Sequence, residues 1–216
     1  MFKILNLAIA LLGVAVSTLQ AAPTDGSAET PMDAMCRAHP VSAIEQRAKD
    51  GDPDAQFHLA TFLLHGFCVP QEVETAITWF QQAAVGRHAE AAFSLGQMHL
   101  KGTLVELDLE AAEGFLRIAA DQNHQMAQHR LGLTLLWRAA TAEQRHEALY
   151  WLGAAADQGH GFSAVSIGML HQKGMHGVTE DKCVALDWYE SAILMGFDDK
   201  AGLYRKLRDR QKALCY

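Results

Sequence analysis

The chain has 216 residues, half of them apolar, which is enough to bury the core of one ordinary domain. Its formal net charge of −7 is spread along the sequence, and there is no basic stripe that would bind phosphate groups. Composition and charge therefore argue against nucleic acid and against the anionic surface of a membrane as partners.

The first 21 residues are typical of a secretory signal peptide. Lys3 is followed by an apolar run over residues 4–16, and the small residues Ala21 and Ala22 come after it. Because the run is shorter than the ~20 residues that span a bilayer, we predict cleavage after Ala21 and no stable membrane insertion afterwards. The mature protein is predicted to be periplasmic or secreted. Residues 22–34 are rich in Pro, Thr, Ser, Gly and acidic residues, which predicts a flexible linker.

Residues 35–216 are organised by an internal repeat with a period of 36 residues. An aliphatic position recurs at Leu59, Leu95, Leu131 and Ile167. An aromatic position recurs at Trp79, Phe115 and Trp151, and again, one residue late, at Trp188. The predicted repeats cover about 51–86, 87–122, 123–158 and 159–195, followed by a C-terminal cap over 196–216.

Each repeat has the pattern of two amphipathic helices separated by a break. In the second repeat the first helix carries Ala91 and Leu95, and the second carries Leu116 and Ala120, at helical spacing. No stretch alternates as a strand does, so the predicted fold class is all-α. One helix pair cannot bury its apolar face alone, and stacked neighbours bury it instead. The recurring aromatics, Trp151 among them, are predicted to lie in the core between repeats.

Two runs of the second repeat carry a resemblance to a known family. They are Leu95-Gly96-x-x-His99-x-x-Gly102 and Val105-x-x-Asp108-x-x-x-Ala112-x-x-Phe115-Leu116-x-x-Ala119-Ala120. Their spacing and residue types resemble the Sel1-like repeat, a relative of the tetratricopeptide repeat. The resemblance implies a right-handed α-solenoid of about four 36-residue helix-turn-helix repeats with capping helices, and an adaptor role. The third repeat departs from the pattern, because Arg138 replaces the loop glycine, and there we expect longer helices or a different turn.

Lone helices are predicted over 40–49 and 200–214, where they would cap the two ends of the repeat array. The four cysteines are an even number, which in an exported chain favours disulfides. Cys36 and Cys68 are 32 residues apart, and so are Cys183 and Cys215. That separation matches the out-and-back path of one helical hairpin, so we predict the disulfides Cys36–Cys68 and Cys183–Cys215.

The sequence contains no motif that indicates catalysis or metal binding. Three of the eleven histidines, His88, His124 and His160, recur at the repeat period. They therefore lie a whole repeat apart, which is too far for them to share one metal ion. There is no HExxH, no CxxC and no glycine-rich phosphate loop. We predict no metal, no cofactor, no catalytic residue and no enzyme activity.

By analogy with tetratricopeptide repeats, the exposed concave positions of each first helix can be assigned from the repeat leucine. In the first two repeats they are polar: Asp54, Thr61, His65, Glu90, Gln97 and Lys101. In the last two they are mostly apolar, which marks a contact surface for another protein, with Trp137 at its centre. The predicted contact residues are Trp137, Leu133, Met126, Phe162, Met169, Lys173, Gln97 and Lys101. The alternative interpretation is that the apolar ones pack between repeats or under the irregular turn of the third repeat.

The function predicted from these features is that of an exported scaffold or adaptor that binds another protein on its concave face. The resemblance leaves three alternatives. The first is an immunity protein that neutralises a toxic effector delivered to the periplasm. The second is a component of a flagellar motor ring, suggested by Cys36 and by Gly66-Phe67-Cys68. The third is a β-lactamase-like enzyme, although the members associated with that activity carry cysteines in every repeat and this chain does not.

Overall fold

A computed structural model describes residues 41–198 together with Cys36, Gly202, Lys206 and Cys215. The predicted signal peptide, the predicted linker over 22–34 and most of the predicted C-terminal cap lie outside the described residues. These predictions, and the predicted bounds of the repeats, stay predictions.

The described part of the chain consists of α-helices and one short 3-10 helix, with no strand. The helices are α1 Val41–Lys49, α2 Pro53–His65, α3 Val73–Val85, α4 Ala89–Lys101, α5 Leu109–Ala120, α6 Gln125–Arg138, α7 Ala142–Asp157, α8 Gly161–Lys173 and α9 Lys182–Leu194, and the 3-10 helix is Met175–Gly177. None of these helices is long and apolar enough to cross a lipid bilayer. The chain divides into two compact units, the first ending at His88 and the second beginning at Ala89.

Helices pack mainly against the helices next to them in the chain. In the first unit α1 packs on α2, and α2 packs on α3. In the second unit the contacts run in series from α4 to α9. We call α2, α4, α6 and α8 the A helices and α3, α5, α7 and α9 the B helices. Serial packing of A–B hairpins is what stacked repeats require, and the prediction of an all-α repeat solenoid is confirmed.

In the second unit, large side chains of the B helices pack against small residues of the A helices. The fully buried leucines are Leu95, Leu116, Leu131 and Leu152. A Cβ atom on Gly132 would lie 2.7 Å from Cγ of Leu152 and 2.8 Å from the carbonyl oxygen of Ala148. Gly96 faces Leu116 in the same way, at 2.8 Å. Packed atoms do not approach so closely, so each leucine occupies the space left by a missing side chain.

The recurring aromatics are half-buried. Trp79 and Trp188 pack against buried clusters, but none of the four is fully buried, so the prediction that they lie in the core holds only in part. Trp79, Phe115, Trp151 and Trp188 all keep part of their surface exposed. The residue after each of them is the buried one: Phe80, Leu116, Leu152 and Tyr189. Consecutive side chains on a helix point about 100° apart, so both cannot face the centre of the contact with the A helix. Phe115 contacts that helix through His99, with ring centroids 5.7 Å apart. The prediction that Trp151 belongs to the core is wrong by one position.

The link between the two helices of a repeat is shortest in the third repeat. Links 66–72, 102–108 and 174–181 join the helices of the other repeats, whereas 139–141 joins α6 to α7. Helices α6 and α7 are correspondingly long, with 14 and 16 residues. Thr141 begins α7 with a reciprocal capping box, in which its side chain accepts from the backbone of Gln144 and the Gln144 side chain accepts in return. The prediction of longer helices and a different turn is confirmed.

Two cysteine pairs stand at bonding distance, and they are the pairs that the hairpin spacing predicts. The Sγ–Sγ distance is 1.96 Å for Cys36 and Cys68 and 2.11 Å for Cys183 and Cys215. Cys68 follows the end of α2, and Cys183 lies in the first turn of α9. In the chain-entropy description, closing a loop of this length stabilises the fold by about 3–4 kcal/mol.

Candidate functional site

A groove on the second unit is lined in part by the indole of Trp137. Its volume is about 390 Å³. One side takes Leu100 from α4 and Leu109, the first residue of α5. The other side is a face of α6 formed by Arg130, Leu133, Thr134, Trp137 and Arg138. Trp137 is 81% exposed although its neighbours in the groove are largely apolar.

Helical spacing places the α6 residues of this groove on one side of the helix. Arg130, Thr134 and Trp137 follow one another at intervals of four and three residues, which is one helix face. Trp137 lies in the last turn of α6, at the position that Lys101 takes at the end of α4 and Lys173 at the end of α8. The third repeat therefore differs from its neighbours in presenting an indole where they present a lysine.

An ion-pair network neutralises Arg138 beside the groove. Nη1 of Arg138 donates to Oε2 of Glu113 at 2.7 Å, and Nη2 of Arg117 donates to Oε1 of the same carboxylate at 3.2 Å. Arg117 also pairs with Glu147 of α7. The hydrogen bond from Arg117 lowers the pKa of Glu147, against the opposing effect of its partial burial. The network joins α5, α6 and α7 and holds the end of α6 in place.

Trp137 also faces the link of the fourth repeat. Its ring centroid lies 5.9 Å from that of His176, in the 3-10 helix between α8 and α9. His176 has a left-handed backbone, with φ of 52°. The neighbouring Gly177 packs closely on Arg145 of α7, because a Cβ there would lie 3.2 Å from the guanidinium carbon. The exposed indole thus lies between Leu109, at the start of α5, and the link of the fourth repeat.

The structure brings only some of the predicted contact residues together. Leu133 and Trp137 line the groove described above. Gln97 and Lys101 line a second groove of about 290 Å³ with Phe93 of the same helix. Helix α4 contributes residues to both grooves. The four predicted residues therefore lie on two helices, Gln97 and Lys101 on α4 and Leu133 and Trp137 on α6.

Met126 and Phe162 lie at the other end of the A helices. They are 37% and 65% exposed and belong to the first turns of α6 and α8. Met126 precedes Trp137 by eleven residues, which is ~16 Å along the helix. The ring of Phe162 meets that of Phe197 edge-on at 5.1 Å. The predicted single patch centred on Trp137 is therefore divided into two separate exposed areas.

Met169 corrects another part of the predicted patch. It is half-buried and packs with Val165 and Cys215 against a cluster that contains Leu186 and Tyr189. This packing is the kind that the alternative interpretation describes, and a role for Met169 in partner contact stays a prediction. Thr61 is likewise buried, its hydroxyl donating to the carbonyl oxygen of Phe57 at 2.9 Å. Lys173, the last residue of α8, is exposed.

Sequence reasoning predicted two of the seven residues that line the Trp137 groove, Leu133 and Trp137. Leu100, Leu109 and Arg130 lie beside the positions assigned by analogy, and no repeat register marks them. One pattern could have found Arg130, because it lies on the same helix face as Trp137, two turns earlier. A second was the density of leucines over 104–109, where Leu104 and Leu107 are also exposed. Neither pattern indicates a groove until the third link is known to be short.

Histidines join successive repeats at the start of each A helix. In the second unit Nε2 of His124 lies 3.1 Å from Oε1 of Glu90, and its ring centroid lies 4.5 Å from that of Phe93. Nδ1 of His124 accepts from the backbone N–H of Ala127 and so caps α6. In the first unit His88 makes the equivalent contacts with Asp54 and Phe57.

The next junction replaces this arrangement with a buried cluster of His129, His160 and Ser163. Nδ1 of each histidine lies 2.8 Å from Oγ of Ser163, which is fully buried. One hydroxyl can donate to one ring and accept from the other, so two neutral histidines satisfy it. Burial, then the charges of His160 and Arg130, lower the pKa of His129 to about 4. Burial likewise lowers the pKa of His160.

His99 and His171 hold the long links in place. Nδ1 of His99 lies 3.1 Å from the carbonyl oxygen of Glu106, and Nδ1 of His171 lies 3.2 Å from that of Thr179. The equivalent position of the third repeat, where the link is short, is the buried Leu135. The contacts of these two histidines are therefore with the long links, which accounts for a histidine at this position in the second and fourth repeats.

Four copies of one family model match the chain. The Sel1 repeat matches residues 53–84, 89–124, 125–160 and 163–197, which together make up more than half of the sequence. No curated protein gives a significant sequence match.

Solved structures with this fold are similar to the chain. A Sel1 repeat protein from Oxalobacter formigenes is 30% identical, with a TM-score of 0.65, over 84% of this chain and 69% of that one. A protective antigen of uropathogenic Escherichia coli strains, which displays the same fold, is 27% identical, with a TM-score of 0.63, over 73% of this chain. The aligned region spans only 33% of that antigen. Four matched repeats and these two structures establish that the chain belongs to the Sel1 repeat family.

Proposed function

We propose that this protein is an exported protein-interaction module that binds its partner at the groove around Trp137. Sel1 repeats generally mediate protein–protein interaction. The observation that carries the proposal is the exposure of Trp137, at 81%, over the apolar side chains of Leu100, Leu109 and Leu133. A large indole exposed at the end of α6 is costly in water and effective as an anchor for a partner.

Rigidity supports the choice of this groove over the other exposed areas. Arg138, next in the chain, is held by Glu113, and α7 is held to α5 by Arg117 and Glu147. An anchor on a fixed helix requires no ordering of the backbone when it is covered, which favours affinity. Phe162, by contrast, already packs edge-on against Phe197.

Export is the second part of the proposal. It is supported by the signal-peptide pattern of residues 1–21 and by the two cysteine pairs at bonding distance, since disulfides persist in oxidising compartments. N-terminal sequencing of the protein from a periplasmic extract is expected to begin at Ala22. A chain that still starts at Met1 in that fraction would contradict it.

The binding test compares two exposed aromatics. Trp137→Ala is expected to lower the affinity for the native partner about thirtyfold or more, because a central aromatic anchor typically contributes 2 kcal/mol or more. Tyr150→Ala is the matched control, since Tyr150 is also exposed but lies on α7, away from the groove. The partner is isolated from envelope extract with the parent protein, identified by mass spectrometry, and titrated against all three proteins.

Two outcomes would contradict the proposal. In the first, Trp137→Ala keeps the unfolding midpoint of the parent and binds the partner equally well. In the second, Tyr150→Ala weakens binding as much as Trp137→Ala does, which would place the contact elsewhere or make the loss unspecific.

A further inference from the structure

The Trp137 groove combines apolar surface with an arginine that has no counter-charge among the residues the structure describes. Of the two arginines that line it, Arg138 is paired with Glu113 at 2.7 Å. Arg130 makes no ion pair within the described part of the chain, and its Nε is buried without a hydrogen-bond partner there. A guanidinium without a counter-charge attracts a carboxylate, which pairs with it through charge-assisted hydrogen bonds.

The surroundings of Arg130 do not relieve this deficit. The hydroxyl of Thr134, one turn further along α6, donates to the backbone carbonyl of Arg130 and not to an acceptor on a side chain. The positive charge of Arg130 also contributes to the lowered pKa values of His129 and His160, so both neighbouring rings favour the neutral form. In a chain with a net charge of −7, the groove therefore presents a local positive site.

Building on the proposed function, we propose that the partner inserts an acidic side chain against Arg130 and a large apolar side chain against Trp137. The occupant is a segment of another protein, and Arg130 is the residue that selects the acidic group. The groove, at about 390 Å³, holds a few side chains. The inserted segment is proposed to be extended.

The geometry of α6 sets the spacing of the two anchors in that segment. Arg130 and Trp137 are seven residues apart, which is ~10 Å along the helix. An extended chain rises ~3.3 Å per residue, so the acidic residue and the main apolar residue lie about three positions apart. Leu133, between the two, leaves room for a second apolar residue in the segment.

Selection of peptides on the intact protein tests this without knowledge of the natural partner. A phage-displayed library of random dodecapeptides is selected on the oxidised full chain, and the best peptide is synthesised and titrated. Selected sequences are expected to carry Asp or Glu within about three residues of Leu, Ile, Phe or Trp. Arg130→Gln is expected to weaken binding of that peptide about tenfold. Arg87→Gln, which changes an exposed arginine of the first unit, is expected to leave binding unchanged.

A change on the peptide side gives the same information without altering the fold. Replacing the acidic residue of the peptide by its amide is expected to weaken binding to the parent about tenfold and to have little effect on Arg130→Gln. Octanoate carries a carboxylate and an apolar chain without a peptide backbone, and it is expected not to compete at the peptide's dissociation constant. Effective competition by octanoate would identify a small-molecule site and overturn the proposal.

The outcomes separate this inference from the proposed function. Selected peptides without acidic residues, or an amide peptide that binds the parent as tightly as the acid does, overturn the role of Arg130. If Trp137→Ala still abolishes binding in that experiment, the groove remains the contact surface. Two results would make the proposed function fail together with the inference. In one, the selected peptides bind Trp137→Ala as tightly as they bind the parent. In the other, selection on the parent enriches no peptide relative to selection on Trp137→Ala.

Discussion

The second and third repeats have the same core and different ends. In both, a buried leucine of the B helix packs into the space opposite a glycine of the A helix: Leu116 on Gly96 and Leu152 on Gly132. At one end, however, the link over 102–108 is replaced by the shorter link over 139–141. The comparison shows that the packing of the helix pair and the geometry of its ends are specified by separate residues.

The junctions to the following repeat differ as well. After the second repeat, His124 pairs with Glu90 and lies beside Phe93. After the third, Met126 and His129 occupy the positions of Glu90 and Phe93, and a polar cluster with Ser163 forms instead. Both ends of the third repeat therefore depart from the second, and the exposed Trp137 lies at one of them.

Deleting the shared core leucines is expected to have the largest effect. Leu116→Ala and Leu152→Ala should each reduce the free energy of unfolding by about 3–4 kcal/mol, because both side chains are fully buried and leave cavities. Trp151→Ala should cost clearly less than Leu152→Ala, since Trp151 is half-buried. Urea denaturation followed by circular dichroism measures all three. A larger loss for Trp151→Ala than for Leu152→Ala would restore the core position predicted from sequence.

Acid should destabilise the third junction more than the second. His129 has a pKa lowered to about 4, against about 6.5 in an unfolded chain, so the folded state binds fewer protons between these values. Stability is therefore complete above about pH 6.5 and decreases as the pH falls toward 4, by about 1–3 kcal/mol. His129→Phe, which copies Phe93 of the second repeat, is expected to reduce this loss. The urea midpoints of parent and variant are measured from pH 7 to pH 4.5. An equal decrease of the midpoint in both proteins would contradict the prediction.

Glycine substitutions separate close packing from helix propensity. Gly132→Ala is expected to cost about 1–2 kcal/mol, because its Cβ would overlap Leu152 and the carbonyl oxygen of Ala148. Gly153 and Gly114 are also helical, but a Cβ on either meets no atom within 4 Å. Gly153→Ala should therefore stabilise the protein by about 0.5–1 kcal/mol. Melting temperatures of Gly132→Ala and Gly153→Ala measure this. If both variants shift the melting temperature in the same direction, the close glycine–leucine contact is contradicted.

The smallest expected effect concerns the cap of the short link. Thr141→Ala removes the side chain that accepts from the Gln144 N–H and should reduce the free energy of unfolding by about 1 kcal/mol. Thr141→Ser keeps the hydroxyl and should restore most of it. Equal midpoints for the alanine variant and the parent would show that the capping box does not stabilise the short link.

Much of this fold could be predicted from the sequence because the repeat is periodic. Leu95 and Leu131, 36 residues apart, mark the A helices, and the matched spacing of Cys36–Cys68 and Cys183–Cys215 places cysteines at the ends of hairpins. The error at Trp151 has a physical cause. Periodicity identifies a position that recurs, but Trp151 and Leu152 recur with the same period, and only the direction of the A helix tells which one is buried.

The candidate site was harder to predict, because it lies where the third repeat leaves the pattern. Trp137 and Leu133 could be assigned from the repeat leucine, since both lie on α6. Leu109 could not, because its place in the groove depends on the path of link 102–108. Arg130 could not be recognised as unpaired, since the absence of a counter-charge depends on side chains from other helices.

The serial order of helix contacts has a consequence for the speed and direction of folding. Because the main contacts in the second unit join helices adjacent in the chain, the sequence separation between contacting residues is small. Proteins with such local contacts fold in microseconds to milliseconds. Each hairpin is complete as soon as its second helix is available, so the array can grow from the N-terminal end while later repeats are still extended. Cys36 and Cys68, 32 residues apart, can accordingly meet before the last repeat has folded.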